Sequence, residues 1–319
     1  MHQLSQRPAR TSIFYCFDQK GNLMKRLETA IASFALAVGL SSAAIAGPVI
    51  LGGDDLTDHG SRSVAGANLE GWLYIEKAVS NVLGGQTRAG TLTHDIVALG
   101  SAANPSFSSN NAGGAIGSAA NVLGKSVLYV DGSAAITQFF ANLAAGTVNP
   151  GMLWFAGTNA NNDLDTAEGI ALTANANAIN DFGASGGGIM AHGSGSTAYG
   201  WLSALLPGLS DSGSCDSSGA TLTVAGQAAF SGLSNNDVNS NAGPCHSSFV
   251  GNFGGLTTLA LDGQRRSYII GGGAGTVIAC GVPGRPDCPP TGVPEPSSLA
   301  LVALAGLALL GARVRRSRS

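Results

Sequence analysis

The sequence is poor in charged and aromatic residues. Of its 319 residues, 11% are charged and 6% are aromatic, whereas roughly 25% of an average globular protein is charged. Such low charge excludes a charge-rich, disordered protein. Only 16 Lys and Arg are spread along the chain, and the formal net charge is −3, which excludes a basic nucleic-acid-binding protein.

Hydrophobic residues and glycine are abundant instead. Hydrophobic residues make up 44% of the chain. Glycine accounts for 47 residues, which is about twice the average glycine content. The length allows one large domain or two small ones.

The N-terminal part has the pattern of a secretory signal peptide. Lys25 and Arg26 form a short basic segment, residues 31–40 are apolar, and Ala44-Ile45-Ala46 is a cleavage site of the A-x-A type before Gly47. Because a signal peptide begins at the terminus, we predict that translation starts at Met24 and that residues 1–46 are absent from the mature chain. A permanent N-terminal membrane anchor is the alternative.

The C-terminal end combines three features in a fixed order. Pro294-Glu295-Pro296 comes first, Leu299–Ala312 is apolar, and four arginines follow among residues 313–319. Residues 293–319 closely resemble the PEP-CTERM sorting signal of Gram-negative bacteria. The resemblance implies export, transient insertion in the inner membrane, processing by an exosortase and release to the cell surface or outside. A permanent tail anchor is the alternative, although fourteen apolar residues are fewer than the ~20 that span a bilayer.

Without these two ends, the chain is acidic and keeps four cysteines. Residues 47–292 hold 16 Asp and Glu against 7 Lys and Arg, a net charge of −9, which disfavours anionic partners. An even number of cysteines in an exported chain indicates disulfides. We favour Cys215–Cys245 and Cys280–Cys288. Zinc is the competing interpretation, but the C-x-x-C spacing is absent.

Apolar runs that alternate with helical patterns predict an α/β fold. Continuous apolar strands separated by helices are typical of a parallel sheet covered on both faces, so we expect a Rossmann-like or flavodoxin-like, mostly parallel sheet in a domain over 47–279. The predicted strands are 48–53, 95–100, 126–130, 151–156 and 187–191, and the predicted helices are 68–83, 134–145, 166–182 and 198–206.

The pattern changes after residue 220. Residues 220–225, 255–261 and 267–271 are predicted strands without helices between them, which indicates a β extension of the same sheet. Residues 280–292 contain the Cys280–Cys288 pair and several prolines, and we interpret them as a linker to the sorting signal.

The order of elements over roughly 47–275 also resembles the class I glutamine amidotransferase-like fold. The segments that carry this resemblance are 152–193, which leads into DFGASGGGIMAHGSG, and the later ATLTVAGQAAFSGL and HSSFVGNFGGLTTLAL. In that family a cysteine lies on the turn after a strand. The turn at 190–195 has no cysteine, so this chain departs from the family at its catalytic position.

Two polar loops are candidates for chemistry, because ligands bind beyond the carboxyl ends of parallel strands. Residues 53–60 hold Asp54, Asp55, Asp58 and His59, which could bind a divalent cation or act as acid and base. A polar turn that hydrogen-bonds its own backbone is the alternative.

The second loop follows the predicted strand at 187–191. His192 or Ser194 could act there as a base or nucleophile, but the G-x-S-x-G elbow is absent, and a serine that caps a helix is the alternative. Asp165 and Glu168 have the spacing of a helix N-cap.

We therefore expect an exported cell-surface or extracellular-matrix-associated protein without a metal or cofactor, whose domain serves binding or structure. Its expected partners are the exosortase, the secretion machinery and the exopolysaccharide matrix. An exported hydrolase that uses His192, Ser194, Asp55 and His59 is the alternative. Polysaccharide binding through exposed aromatics is disfavoured, because Trp72, Trp154 and Trp201 lie in apolar contexts.

Overall fold

Parallel strands form the centre of a large mixed sheet in the computed structural model, which describes residues 47–157, 163–193, 197–239 and 243–273. The predicted signal peptide, linker and sorting tail, including the apolar helix 299–312, lie outside these residues. The described strands are β1 Val49–Gly52, β2 Gly60–Arg62, β3 Asn68–Glu70, β4 His94–Leu99, β5 Val127–Val130, β6 Pro150–Phe155, β7 Gly188–His192, β8 Leu209–Asp211, β9 Thr221–Leu222, β10 Phe249–Gly251, β11 Thr257–Leu261 and β12 Ser267–Gly272.

The helices alternate with these strands through most of the chain. They are α1 Gly71–Gly85, α2 Ala112–Leu123, α3 Ser133–Ala144, α4 Thr166–Ala174, α5 Ala176–Ala184, α6 Leu202–Leu205 and α7 Val224–Ala229, and a 3-10 helix covers Asn235–Val238. No helix among the described residues is long and apolar enough to span a membrane.

The sheet has a parallel half and an antiparallel half. Strands β5, β4, β6, β7 and β1 lie side by side in parallel, and β12 then pairs with β1 in the antiparallel direction. The order continues through β10 to β8, and β11 joins β12 to β9. The predicted mixed α/β class with a mostly parallel central sheet is confirmed. Strands β1, β6 and β7 consist entirely of buried residues, as a sheet covered on both faces requires. Strand β5, at the edge of the sheet, is mostly half-buried.

Two adjacent glycines show that helices cover both faces near β7. A Cβ at Gly188 would meet Val82 of α1, whereas a Cβ at Gly187 would meet the ring of Phe182 in α5. Since consecutive residues of an extended chain point to opposite faces, α1 and α5 lie on opposite sides of the sheet. Both contacts would be under 2.5 Å, so only glycine allows the helices to approach this closely.

Several predicted elements differ from the observed ones. The helix predicted over 166–182 is two helices, α4 and α5, which meet at Asn175. The Asn175 side chain donates to the carbonyl of Ala171 at 2.8 Å, and its backbone leaves the helical region. A short polar side chain that competes for backbone hydrogen bonds explains this break. The helix predicted over 198–206 is the shorter α6.

The prediction for the region after residue 220 is wrong in one respect, because it placed a strand where part of a helix lies. Helix α2 was also not predicted from the sequence. Helix α7 begins where the strand 220–225 was expected to continue, because the Thr223 hydroxyl accepts a hydrogen bond from the Gly226 amide at 3.0 Å and caps a helix. Asn111 caps α2 in the same way by accepting from Gly114. Helix α2 is rich in alanine and glycine, and its large apolar residues are Ile116, Val122 and Leu123.

Candidate functional site

Polar side chains gather where four parallel strands end. The loop after β1 carries Asp54 to His59, β7 ends at His192, Ser101 follows β4, and Asp163 lies in the connection after β6. Because the strands are parallel, their carboxyl ends meet at one edge of the sheet. This is the edge at which the sequence predicted a ligand or reaction site.

His192 makes two hydrogen bonds in the core at this edge. Its Nδ1 lies 2.6 Å from Oδ1 of Asp54, and its Nε2 lies 3.2 Å from the indole nitrogen of Trp154. An indole N–H can only donate, so Nε2 is the acceptor and Nδ1 carries the proton that it donates to Asp54. Both His192 and Asp54 are 0% exposed.

These contacts give His192 a structural role. A general base needs a ring nitrogen that reaches a substrate, and both nitrogens of this ring are used inside the protein. The structure brings His192 to Asp54 rather than to Asp55 or His59. Ser194, the other candidate of that loop, lies outside the described residues.

Asp55 joins two histidines from distant parts of the chain. Its Oδ2 lies 2.7 Å from Nε2 of His246, and its Oδ1 lies 3.2 Å from Nε2 of His59. The Asp55 side chain is 3% exposed, whereas the side chains of His59 and His246 are 19% and 39% exposed. A buried carboxylate thus holds two imidazoles that reach the surface.

The charges in this cluster shift each group in the direction that keeps it ionised. Burial by itself would raise the pKa of Asp55, but the hydrogen bonds and charges of His246 and His59 outweigh it and hold the value at about 2. The hydrogen bond to Asp55 raises the pKa of His246, and the same contact raises the pKa of His59.

Asp163 behaves in the opposite way. Burial, together with the nearby carboxylates of Asp58 and Asp55, raises its pKa to about 8, although Thr57 favours the ionised form. Its neighbour Leu164 packs where a Cβ of Gly100 would lie, which places Asp163 beside the end of β4. Asp163 therefore keeps its proton at neutral pH, while Asp55 is ionised.

A disulfide and a backbone bridge place His246 next to the loop after β1. Cys215 and Cys245 form a disulfide with a Cα–Cα distance of 5.5 Å, which is one of the two pairings expected from the sequence. Cys245 also forms an isolated antiparallel bridge with Asp54. The amide of His246 donates to the carbonyl of Gly53 at 2.8 Å, so the chain on both sides of His246 is held against the β1 loop.

Sequence reasoning assigned no role to His246. It is 191 residues from Asp55, and nothing in the local pattern links the two. The adjacent Cys245 was the only available indication, since its predicted partner Cys215 fixes this loop to the domain.

The other polar contacts at this edge are structural. Asp165 and Glu168 form the predicted capping box of α4, with the Asp165 carboxylate accepting from the Glu168 amide at 2.8 Å and the Glu168 carboxylate accepting from the Asp165 amide at 2.7 Å. Glu168 also accepts from the amide of Gly132 at 2.6 Å, which ties the start of α3 to α4.

The side chains around Asp55, His59 and His246 do not form a preformed metal site. Within the described ranges, the only His, Cys or carboxylate trio with ligand atoms all within 4.8 Å of one another is Cys215, Cys245 and Asp262. Two of these are joined in the disulfide, and a disulfide sulfur is not the thiolate that metals bind.

Comparison with known proteins identifies the C-terminal end. A family model described as the PEP-CTERM protein-sorting motif matches residues 292–317. The chain carries a PEP-CTERM sorting motif. The match includes Pro294, Glu295, Pro296 and the apolar segment 299–312, so the predicted resemblance is confirmed. The motif marks the chain as an exported protein that an exosortase processes and sorts to the cell surface.

The comparisons give no relative for the domain itself. No curated protein matches the chain, and no solved structure matches it either. The resemblance to the glutamine amidotransferase-like fold is therefore not confirmed, and the PEP-CTERM motif is the basis for assigning function.

Proposed function

We propose that this chain is made with a cleaved signal peptide, held briefly in the inner membrane by residues 299–312, and released by an exosortase. It then stays at the cell surface or in the extracellular matrix, where the acidic α/β domain serves binding or structure. The PEP-CTERM motif at residues 292–317 is the observation that carries this proposal.

The physical properties of the tail support a transient anchor. Its fourteen apolar residues, Leu299–Ala312, fall short of the ~20 that cross a bilayer without strain. The arginines that follow them favour a cytoplasmic position for the C-terminus. The Cys215–Cys245 disulfide supports export as well, because such bonds persist in oxidising compartments.

The domain is a poor match to a polysaccharide-binding surface built on tryptophan. Trp72, Trp154 and Trp201 are all 0% exposed and belong to the core. Contact with an exopolysaccharide matrix would have to use polar loops instead. The alternative function, an exported hydrolase, cannot use His192 as its base because the ring is buried between Asp54 and Trp154.

A double substitution tests the sorting proposal. Proline fixes φ and disfavours helix at the residue before it, so we expect Pro294 and Pro296 to keep the motif extended next to the predicted apolar helix. Pro294→Ala with Pro296→Ala lets the helix extend back through the motif. We expect unprocessed protein in the membrane fraction that still carries Arg313 and Arg315, detected by mass spectrometry of the C-terminal peptide.

The matched control is Pro289→Ala with Pro290→Ala, which removes two prolines just before the matched motif. This variant should be processed like the wild type. Normal processing of the Pro294/Pro296 variant would overturn the role given to these prolines in sorting, whereas a wild-type chain that keeps Arg313 and Arg315 in the membrane fraction would indicate a permanent tail anchor.

A further inference from the structure

The outer edge of β5 has no strand beside it. Strand β5 is the last strand at the parallel end of the sheet, and among the described strands it pairs only with β4. An edge with unpaired backbone groups is a template for another strand. Natural edge strands are commonly protected by a proline or a charged residue, and the four residues of β5, Val127–Val130, include neither.

The backbone hydrogen bonds show which residues of β5 face outward. The carbonyls of Ser126 and Val130 accept from amides in and just after β4, at 3.0 and 2.8 Å. Since alternate residues of a strand direct both backbone groups to the same neighbour, Leu128 faces β4 as well. The amides and carbonyls of Val127 and Tyr129 therefore point away from the sheet.

These two outward residues match a second copy of the same strand. When two β5 strands run antiparallel with Leu128 opposite Leu128, Val127 of each copy lies opposite Tyr129 of the other. Both residues of each pair then exchange their N–H···O bonds. A β-branched residue opposite an aromatic one is also a favourable cross-strand pair. This register places a twofold axis at Leu128, and twofold symmetry is the commonest in homo-oligomers.

The charges next to β5 are complementary to themselves in the same register. Lys125 and Asp131 are the only charged residues between Asp95 and Asp163, and both are exposed. They lie at equal distances in sequence before and after Leu128, so Lys125 of each copy comes opposite Asp131 of the other. Lys125 already lies 3.3 Å from Asp95, but an ammonium group has three donors and can serve both carboxylates.

The helices that lead into and out of β5 carry no charge. Neither α2 nor α3 contains an acidic or basic residue. Val122, near the end of α2, is 44% exposed, and Ala134 and Ala135, in the first turn of α3, are exposed as well. Residues 47–292 have a net charge of −9, which makes copies of the domain repel each other. The uncharged surroundings of β5 reduce this repulsion at the edge.

We propose that two copies of this chain form a symmetric dimer by antiparallel pairing of their β5 strands. Leu128 lies on the twofold axis, and Lys125 of each copy pairs with Asp131 of the other. The two sheets become one continuous sheet. This proposal goes beyond sorting and does not depend on it, because β5 belongs to the domain and not to the processed tail.

The first test is sedimentation velocity of the whole exported chain at about 1–100 µM, the range of a moderate affinity. We expect dimers that dissociate on dilution. Lys125→Glu places like charges opposite each other twice, and so does Asp131→Lys, so each variant should weaken association by about 10-fold or more. Asp181→Lys on α5 makes the same change of charge at an exposed position away from β5 and should not weaken it.

Mixing the two variants tests the pairing itself. In an equimolar mixture of Lys125→Glu and Asp131→Lys, each contact again joins opposite charges, so the mixture should form heterodimers although each variant alone is largely monomeric. A chain that carries both substitutions should dimerise with itself for the same reason. If neither the mixture nor the double variant recovered association, Lys125 and Asp131 would not face each other and the proposal would be overturned.

A backbone substitution tests the strand. Val127→Pro removes an amide that points outward and leaves the hydrogen bonds to β4 in place, as an edge strand tolerates. It should abolish the dimer and leave cooperative unfolding in urea intact. In the wild type, the amides of Val127 and Tyr129 should be protected from hydrogen exchange at high protein concentration and should lose that protection on dilution.

Two results would overturn the proposal from the side of the wild type and the strand. The first is a wild type that remains monomeric at the highest concentration. If its Val127 and Tyr129 amides were protected all the same, another part of the chain, such as the segment after residue 273, would cover the edge instead. The second is a Val127→Pro dimer as strong as that of the wild type, which would require a different surface.

Discussion

His192 and Asp54 are bound to each other in the core, 2.6 Å apart and 138 residues apart in sequence. The contact joins the ends of β7 and β1, which pair in parallel, and β1 is the strand whose other neighbour, β12, is antiparallel. Oδ1 of Asp54 also accepts from the amide of Leu56 at 3.0 Å, so this carboxylate shapes the loop that carries Asp55 and His59.

Removing this histidine should destabilise the domain. His192→Ala leaves the indole of Trp154 without its acceptor and leaves the buried Asp54 carboxylate with the amide of Leu56 but no imidazole. Breaking a buried pair costs about 3–5 kcal/mol. We expect that loss in the free energy of unfolding, measured by urea denaturation. His94→Ala, at the opposite end of the strands, should change it far less. A loss below about 1 kcal/mol for His192→Ala would contradict the structural role.

The raised pKa of Asp163 leads us to expect an unusual pH dependence of the free energy of unfolding. Its pKa is about 8 in the folded chain against an ordinary value of 3.8, so the folded state holds a proton that the unfolded state releases. The stability that this proton contributes is complete below pH 3.8 and is lost as pH rises towards 8. Asp163→Asn, which mimics the protonated form, should therefore stabilise the domain by about 1–3 kcal/mol at pH 7.

The size of that effect should grow between pH 5 and pH 8, as measured by urea denaturation at both values. Asp181→Asn, an exposed carboxylate on α5, is the control and should show no such trend. If the difference in unfolding free energy between Asp163→Asn and the wild type did not change with pH, the pKa of Asp163 would not be raised in the folded chain.

The disulfide should support both stability and the position of His246. Cross-linking residues 30 apart stabilises a domain by about 3–4 kcal/mol. Cys215→Ser with Cys245→Ser should lose this stability and should lower the pKa of His246 towards the ordinary value, as followed by NMR titration. Peptide mapping without reductant should recover Cys215–Cys245 and also the predicted Cys280–Cys288 pair, whereas four free thiols would refute both.

A charge within the apolar tail should prevent membrane insertion and, as a consequence, processing. Placing an arginine at the centre of a membrane helix costs about 2.5–3.5 kcal/mol, which a segment of fourteen residues cannot offset. Ala305→Arg should therefore release unprocessed protein to the soluble fraction, the reverse of the membrane retention expected for the Pro294/Pro296 variant. Ala305→Leu is the control and should be processed normally.

The start of the mature chain is a separate prediction. N-terminal sequencing of the exported protein should begin at Gly47, because the small residues Ala44 and Ala46 fit the cleavage site. If translation begins at Met24, Met24→Leu should abolish export and Met1→Leu should not. A mature chain that began at Met1 or Met24 would rule out the cleaved signal peptide.

Local sequence patterns were sufficient to predict the sorting motif and most strands of the parallel sheet. The sorting motif is read in a continuous segment, and the strands β4, β5, β6 and β7 are apolar runs that need no partner to be recognised. The capping box of Asp165 and Glu168 was predictable for the same reason, since its two residues are three positions apart.

Long-range pairing decided the chemistry of the site. The sequence placed His192, Asp55 and His59 together as candidates, but only the folded chain shows that His192 faces Asp54 and that His246, 191 residues away, faces Asp55. The composition of a loop determines which groups are present. Which of them are buried, ionised or exposed depends on the strands, helices and disulfide that surround them, because desolvation and neighbouring charges act through space rather than along the chain.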